Sequence, residues 1–155
     1  MIDAFGNAFL CDFGLSRIRH EITRTLTNIR EGGRMRFLAP ELLTGPERFR
    51  TSPASDIFSL SMTFFSIWAR TPPFGELSNE RRAGRYIRSG RRPEKPGTEI
   101  GLPPGMEKEF WQLIVDMWAH EPLSRPLTDD VQRRLEAIFG SLLKQHGRDT
   151  VCVTS

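Results

Sequence analysis

The stretch Ser55–Ala69, "SDIFSLSMTFFSIWA", holds a single charged residue, Asp56, in its second position. Wound at 3.6 residues per turn, Ile57, Phe58, Leu60, Met62, Phe64, Phe65, Ile67 and Trp68 leave no side free of apolar residues. A helix without a polar face belongs at the centre of a core, so this segment predicts a central helix from about Asp56 to Arg70. Ser52 or Ser55 is the expected cap, and Pro72-Pro73 stops the helix because proline cannot continue the hydrogen-bond ladder. The uncharged run from Ile57 to Ala69 is too short for a bilayer, and it carries Ser59, Ser61, Thr63 and Ser66.

Outward from this helix, the remaining segments are mostly helical. Downstream, Phe110, Leu113, Ile114, Met117 and Trp118 recur at i, i+3, i+4, i+7 and i+8, the spacing of one helix face. Thr128, with Asp129 and Asp130 behind it, predicts the start of a last helix that buries Val131, Leu135, Ile138, Phe139 and Leu142. Residues 79–89 read as a basic helix, followed by a proline-rich loop. Upstream, Pro40 opens a short helix through Glu41, Leu42 and Leu43. Residues 14–38 are polar and rich in arginine and threonine, which predicts a long loop of the kind that usually carries function. Residues 1–10 read as a β-hairpin turning at Gly6 and Asn7. The expected fold class is mainly α, a helical bundle with a short N-terminal β-hairpin.

The 155 residues are enough for one domain with one core, and 38% hydrophobic against 26% charged residues is a globular composition. All but three of the 22 basic residues are arginine, the exceptions being Lys95, Lys108 and Lys144. Arginine forks onto carboxylates and phosphates, which favours acidic partners. Cys11 and Cys152 form no disulfide framework, no Cys/His metal cluster is present, and the N-terminus has no basic-then-apolar leader. These features predict a cytoplasmic or nuclear protein without a membrane partner.

Two short motifs carry a resemblance. "CDFG" at Cys11–Gly14 and "APE" at Ala39–Glu41 are separated by a segment of activation-loop length. Asp56 follows in "SDIFSLSM", then "PPF" at Pro72–Phe74 and "MWAHEPLSRP" with Trp118, Arg125 and Pro126. In this order and spacing, the chain resembles the C-terminal lobe of a protein kinase, a partial protein-kinase-like α+β fold. "RFLAPELL" and "MWAHEPLSRP" are most similar to the tyrosine-kinase-like group. The resemblance implies a partial kinase domain over residues 1–143, from the strand before Asp12 to the last helix, and a flexible tail over 144–155.

It also implies roles for particular residues. Asp12 would hold Mg²⁺ on the phosphates of ATP, a hard cation suited to a carboxylate. Cys11, Phe13 and Gly14 would line the same cofactor site, Phe13 packing inward and Gly14 giving backbone freedom. Glu41 and Arg125 would form a buried ion pair that anchors the end of the activation segment. Asp56 would bond the backbone of a catalytic loop, and Trp118 would serve the core. Ser16, Thr23, Thr25 and Thr27 are candidate phosphosites, lying among Arg17, Arg19, Arg24, Arg30, Arg34 and Arg36, to which a phosphate could pair.

Arg81, Arg85, Arg88 and Arg92 recur at i, i+4, i+7 and i+11, with Arg82 and Arg91 nearby. If the helix extends that far, they form a basic stripe suited to protein substrates or acidic protein partners. Nucleic acid is disfavoured because the arginines lack a regular interleaving of aromatics, Tyr86 being the one ring among them.

Other kinase parts are not found among these residues: no Gly-rich loop, no strand lysine, and no His-Arg-Asp catalytic loop with its Asn. No residue here is therefore a candidate catalytic base, and the 155 residues alone are expected neither to transfer phosphate nor to bind ATP and Mg²⁺ tightly. Met1 falls within the strand that would follow the missing Asn. Arg34 stands where Ser/Thr kinases have a hydroxyl, Ser61 where Gly is usual, Ser66 where Glu is common, and Met117 where Cys is common. Two expectations follow: part of a Ser/Thr-type protein kinase, or a non-catalytic, pseudokinase-like interaction module or decayed copy.

Overall fold

The computed structural model describes residues 35–44, 51–97 and 101–149. Among the described residues four α-helices carry the architecture: α1 (Pro53–Ala69), α2 (Glu80–Arg88), α3 (Pro104–Met117) and α4 (Thr128–Asp149). Three 3-10 turns, Met35–Phe37, Pro40–Leu43 and Pro122–Ser124, join or flank them. Among the described residues there is no strand, and the expected hairpin over residues 1–10 lies outside them.

Local chemistry sets the ends of α1. Ser52 caps it by accepting from the Ser55 N–H at 3.2 Å, and the Ser55 hydroxyl accepts from the Ser52 N–H at 2.9 Å. The two serines thus satisfy two otherwise orphaned donors, with Ser55 in the place usually taken by Glu. Pro53 fits the first helical position, which needs no N–H. Arg70 ends the helix in the left-handed conformation, φ 54°, just before Pro72-Pro73.

The core forms where α1 packs on α3, α3 on α4, and α2 on the first two 3-10 turns. Phe58, Met62 and Trp68 of α1 are buried with Leu113, Ile114 and Met117 of α3. Trp68 stacks on Phe110 at 5.8 Å between ring centroids and meets Trp111 edge-on at 5.7 Å. Trp111 in turn meets Trp118 edge-on at 5.4 Å. Stacked pairs at this centroid separation and edge-on pairs are the arrangements aromatic quadrupoles favour. The expected buried face of α3, Phe110 to Trp118, is buried at every named position.

The all-round burial expected of α1 is not what the structure shows. Leu60 is partly exposed and Ile67 is 71% exposed. With Phe64 they line an open apolar groove of about 770 Å³, walled on the other side by Leu102, Phe110, Val131, Leu135 and Phe139. Two faces of α1 are packed and the third is not. On α4, Val131 and Ile138 are buried, whereas Leu135 and Phe139 stand half-buried at the groove. The helix itself continues to Asp149.

Candidate functional site

Cys11, Asp12, Phe13, Gly14 and the hydroxyls of Ser16, Thr23, Thr25 and Thr27 lie outside the described residues. What is described is the place where the segment after Gly33 joins the helical body. Arginines build it.

Arg125 follows the Pro122–Ser124 turn, and its side chain has no exposure to solvent. Its Nη1 donates to Glu41 Oε1 at 2.8 Å and its Nη2 to Glu41 Oε2 at 2.9 Å, a two-pronged pairing across 84 residues of sequence. The remaining donors reach backbone carbonyls: Nη1 to Ala54 at 2.8 Å, Nη2 to His120 at 3.1 Å, and Nε to Ala119 at 2.9 Å. A guanidinium has five N–H donors, and here each has an acceptor. The ring of Phe58 lies 5.1 Å from the guanidinium carbon. Full pairing is what allows so hydrophilic a group to be buried.

Glu41 is held above this guanidinium by the Pro40–Leu43 turn, where Pro40 occupies the first position. Burial pushes the Glu41 carboxyl upward. The hydrogen bonds from Arg125 and from its own backbone N–H, with the charges of Arg125 and His120, outweigh burial and hold it below the usual carboxylate range.

Arg36 forms a second anchor. It is buried, and its Nε pairs with Glu80 at the start of α2. Its Nη1 donates to the carbonyls of Pro73, at 2.9 Å, and Phe74, and its Nη2 donates to the carbonyl of Leu77. One guanidinium thus ties the 3-10 turn at Met35–Phe37 to the 73–77 loop and to α2. Phe74 needs that restraint, because it sits in the left-handed region at φ 54°, which costs a bulky residue about 1–3 kcal/mol. Its ring is buried and meets Tyr86 edge-on at 5.8 Å. Arg36 is therefore engaged in structure and is not a free partner for a phosphate. Arg17, Arg19, Arg24, Arg30 and Arg34 lie outside the described residues.

Arg92 is the third inward arginine. α2 ends at Arg88, so the i+11 position never joins the expected stripe. Arg92 instead donates to the carbonyls of Trp118 at 2.8 Å and Ile87 at 3.1 Å, and lies 4.9 Å from the Phe58 ring centre. Phe58 accordingly contacts both Arg92 and Arg125. Burial, helped by the Arg125 charge and partly offset by Glu41, pushes Arg92 down to about 10, which still leaves it charged at neutral pH. Sequence reading missed the inward role of Arg36 and Arg92. One signal was available for Arg36: a cation flanked on both sides by apolar residues, Met35 and Phe37-Leu38.

The other expected residues separate. Asp56 lies exposed in the first turn of α1, its carboxyl pushed up by partial burial, and makes no hydrogen bond to another described side chain. Trp118 is buried at the end of α3, its N–H bonded to the Ile114 carbonyl. Ser61 is buried and donates to the Phe58 carbonyl at 2.6 Å, whereas the Ser66 hydroxyl is buried without a partner among the described residues. Arg81, Arg85 and Arg88 are exposed on α2. Among the described residues no cluster of His, Cys, Asp or Glu is built to hold a metal, and no helix is long and apolar enough to cross a membrane.

The Ala39–Glu41 corner locked by a distant arginine is the geometry the resemblance implied, and comparison with known proteins places the chain. The family profile of the protein kinase domain matches residues 1–134. A probable serine/threonine-protein kinase of Dictyostelium discoideum is 30% identical over 132 residues, covering 84% of this chain and 13% of that protein. The serine/threonine-protein kinase PknK of Mycobacterium bovis is 30% identical over 142 residues, covering 86% of this chain and 12% of the relative. PkaB of Streptomyces coelicolor, also a serine/threonine-protein kinase, is 30% identical over 137 residues, covering 87% and 29% respectively. The chain spans less than a third of each of these relatives. With the profile covering most of the chain, these 155 residues belong to the protein kinase family.

Proposed function

We propose that this chain is the C-terminal lobe of a serine/threonine-type protein kinase of the tyrosine-kinase-like group. The whole protein would move the γ-phosphoryl group of MgATP to a protein hydroxyl, releasing ADP. The observation that carries the reading is the Glu41–Arg125 junction, with every donor of Arg125 satisfied. Such a junction fixes the end of the polar segment that leads into Ala39–Glu41. That is useful where a segment must hold a peptide substrate in register with a phosphate, because phosphoryl transfer depends chiefly on positioning and charge stabilisation.

ATP with Mg²⁺ supplies the transferable group, and by resemblance Asp12 would be the metal-facing carboxylate. In this reading Arg125 and Glu41 position the segment, Arg36 fixes its last turn onto α2, and none of the three touches the reacting atoms. The 155 residues by themselves remain inactive, since the base and the phosphate-binding lysine are not among them. Ser16, Thr23, Thr25 and Thr27 are proposed as sites where phosphorylation orders the segment through nearby arginines outside the described residues.

The test uses two proteins. The 155-residue chain, incubated with Mg²⁺ and ATP labelled at the γ-phosphate, transfers nothing to casein. A protein in which the chain is joined to the sequence encoded upstream in its own reading frame labels serine or threonine and loses this with Asp12→Asn. Transfer by the 155 residues alone, or an upstream frame without a lysine strand and His-Arg-Asp loop, overturns the proposal and favours a non-catalytic interaction module.

A further inference from the structure

The outer face of α2 carries positive charge that nothing in the described structure balances. Arg81, Arg82, Arg85 and Arg88 are exposed on α2, and Arg91 is exposed just beyond its end. At about 100° per residue the four helical arginines fall within an arc of about 120°, opposite the buried Ala83, Gly84 and Ile87. The ion pairs of the described residues use Arg36, Lys95, Arg125, Arg133 and Arg134, and none of these five. Glu80, the sole acid of α2, is turned to Arg36.

The helix beneath this face is capped and packed on the body. Asn79 caps α2 by accepting from the Arg81 N–H at 2.9 Å, and a Cβ on Gly84 would lie 2.8 Å from the Met35 methyl, so helix and turn are in close contact. Arg82 and Arg91 gather at Tyr86, their guanidinium carbons 5.7 Å and 4.5 Å from the ring centre. The helix therefore presents its cations already assembled, against mutual repulsion that a bound anion would relieve.

We propose that this face docks an acidic segment of a partner protein, a short extended run bearing Asp or Glu side chains. Arg81 and Arg85 are about 6 Å apart along the axis. Carboxylates at alternate positions of an extended chain are about 6.6 Å apart, a close match. The whole face is about 10 Å long, which suits about three extended residues. An anionic membrane fits less well, because surface-lying helices also insert apolar side chains, and the exposed Leu60, Ile67, Leu123 and Leu127 are not on α2. A single strand of nucleic acid needs free aromatic faces, and Tyr86 is taken by Arg82, Arg91 and Phe74.

The inference does not rest on phosphoryl transfer, and its test contains no nucleotide. Fluorescence anisotropy of the 155-residue protein is followed with a labelled peptide of alternating glutamate and serine. The matching glutamine–serine peptide, an oligothymidylate, and phosphatidylcholine vesicles containing phosphatidylserine serve as competitors. The glutamate peptide binds, salt weakens it, and Arg81→Gln/Arg85→Gln/Arg88→Gln reduces affinity about tenfold. Arg85→Glu alone, at the middle of the face, also weakens binding, while Arg133→Gln on α4 leaves it unchanged. Equal binding by the triple variant or by Arg85→Glu, or preference for oligothymidylate or vesicles over the glutamate peptide, overturns the proposal.

Discussion

Arg36, Arg92 and Arg125 point into the protein, whereas Arg81, Arg82, Arg85 and Arg88 point out of it, although both sets share the same side chain. The inward set meets carbonyls in every case and a carboxylate in two, Glu80 and Glu41. The outward set meets no carboxylate among the described residues. The difference lies in the acceptors that the fold brings to each position. An arginine can be buried only where acceptors meet its donors, and Arg125 has five because the Glu41 carboxylate and the carbonyls of Ala54, Ala119 and His120 converge on it. On the outer face of α2 no carboxylate or carbonyl is brought to Arg81, Arg85 or Arg88 among the described residues, so these arginines are left with solvent or a partner.

The largest test of this contrast is Glu41→Ala. It leaves Arg125 buried with carbonyls but without its counter-charge, and is expected to cost about 3–5 kcal/mol of stability in urea unfolding. A loss below about 1 kcal/mol would place the anchor among ordinary surface pairs. Next comes Arg36→Met, which keeps the stem but strips hydrogen bonds from the carbonyls of Pro73, Phe74 and Leu77. About 2–3 kcal/mol is expected, together with faster proteolysis between Pro72 and Leu77. Unchanged cleavage there would show that Phe74 holds its left-handed conformation without the clamp.

A smaller effect is read from pH. Glu41 is held below its ordinary value when folded, so its contribution is fully present above the ordinary carboxylate value of about 4.3. That contribution declines as pH falls from there through the folded-state value. Unfolding free energy of the parent should therefore drop across this acid window, and the corresponding slope should be absent in Glu41→Gln. Identical pH profiles would remove Glu41 as the titrating group. The smallest effect is Arg85→Ala, which removes an exposed, unpaired side chain and should change stability by less than about 0.5 kcal/mol. A larger loss would mean that the outward arginines also support the fold.

Much of the helical scaffold was readable along the chain. The spacing of Phe110, Leu113, Ile114 and Met117 gives α3 its buried face; of the two expected caps for α1 it is Ser52 that serves, so the helix begins at Pro53, three residues before the expected Asp56. These are local effects, decided within one or two turns. The resemblance paired Glu41 with Arg125, and the two side chains meet. The all-round apolar pattern of α1 was less informative, because hydrophobicity alone does not say how many faces find a neighbour. Leu60, Phe64 and Ile67 face an open groove.

The sequence by itself determined the helices, their order and the membership of a kinase family, since periodicity, capping and motif order are written in consecutive residues. Only the tertiary structure decided which arginines belong to the core. Arg36 depends on the Pro73–Leu77 carbonyls and Glu80, and Arg92 on the carbonyl of Trp118, acceptors 26 to 44 residues away. A guanidinium carries the same charge everywhere in the chain. Whether it is buried depends on acceptors that only folding brings into reach.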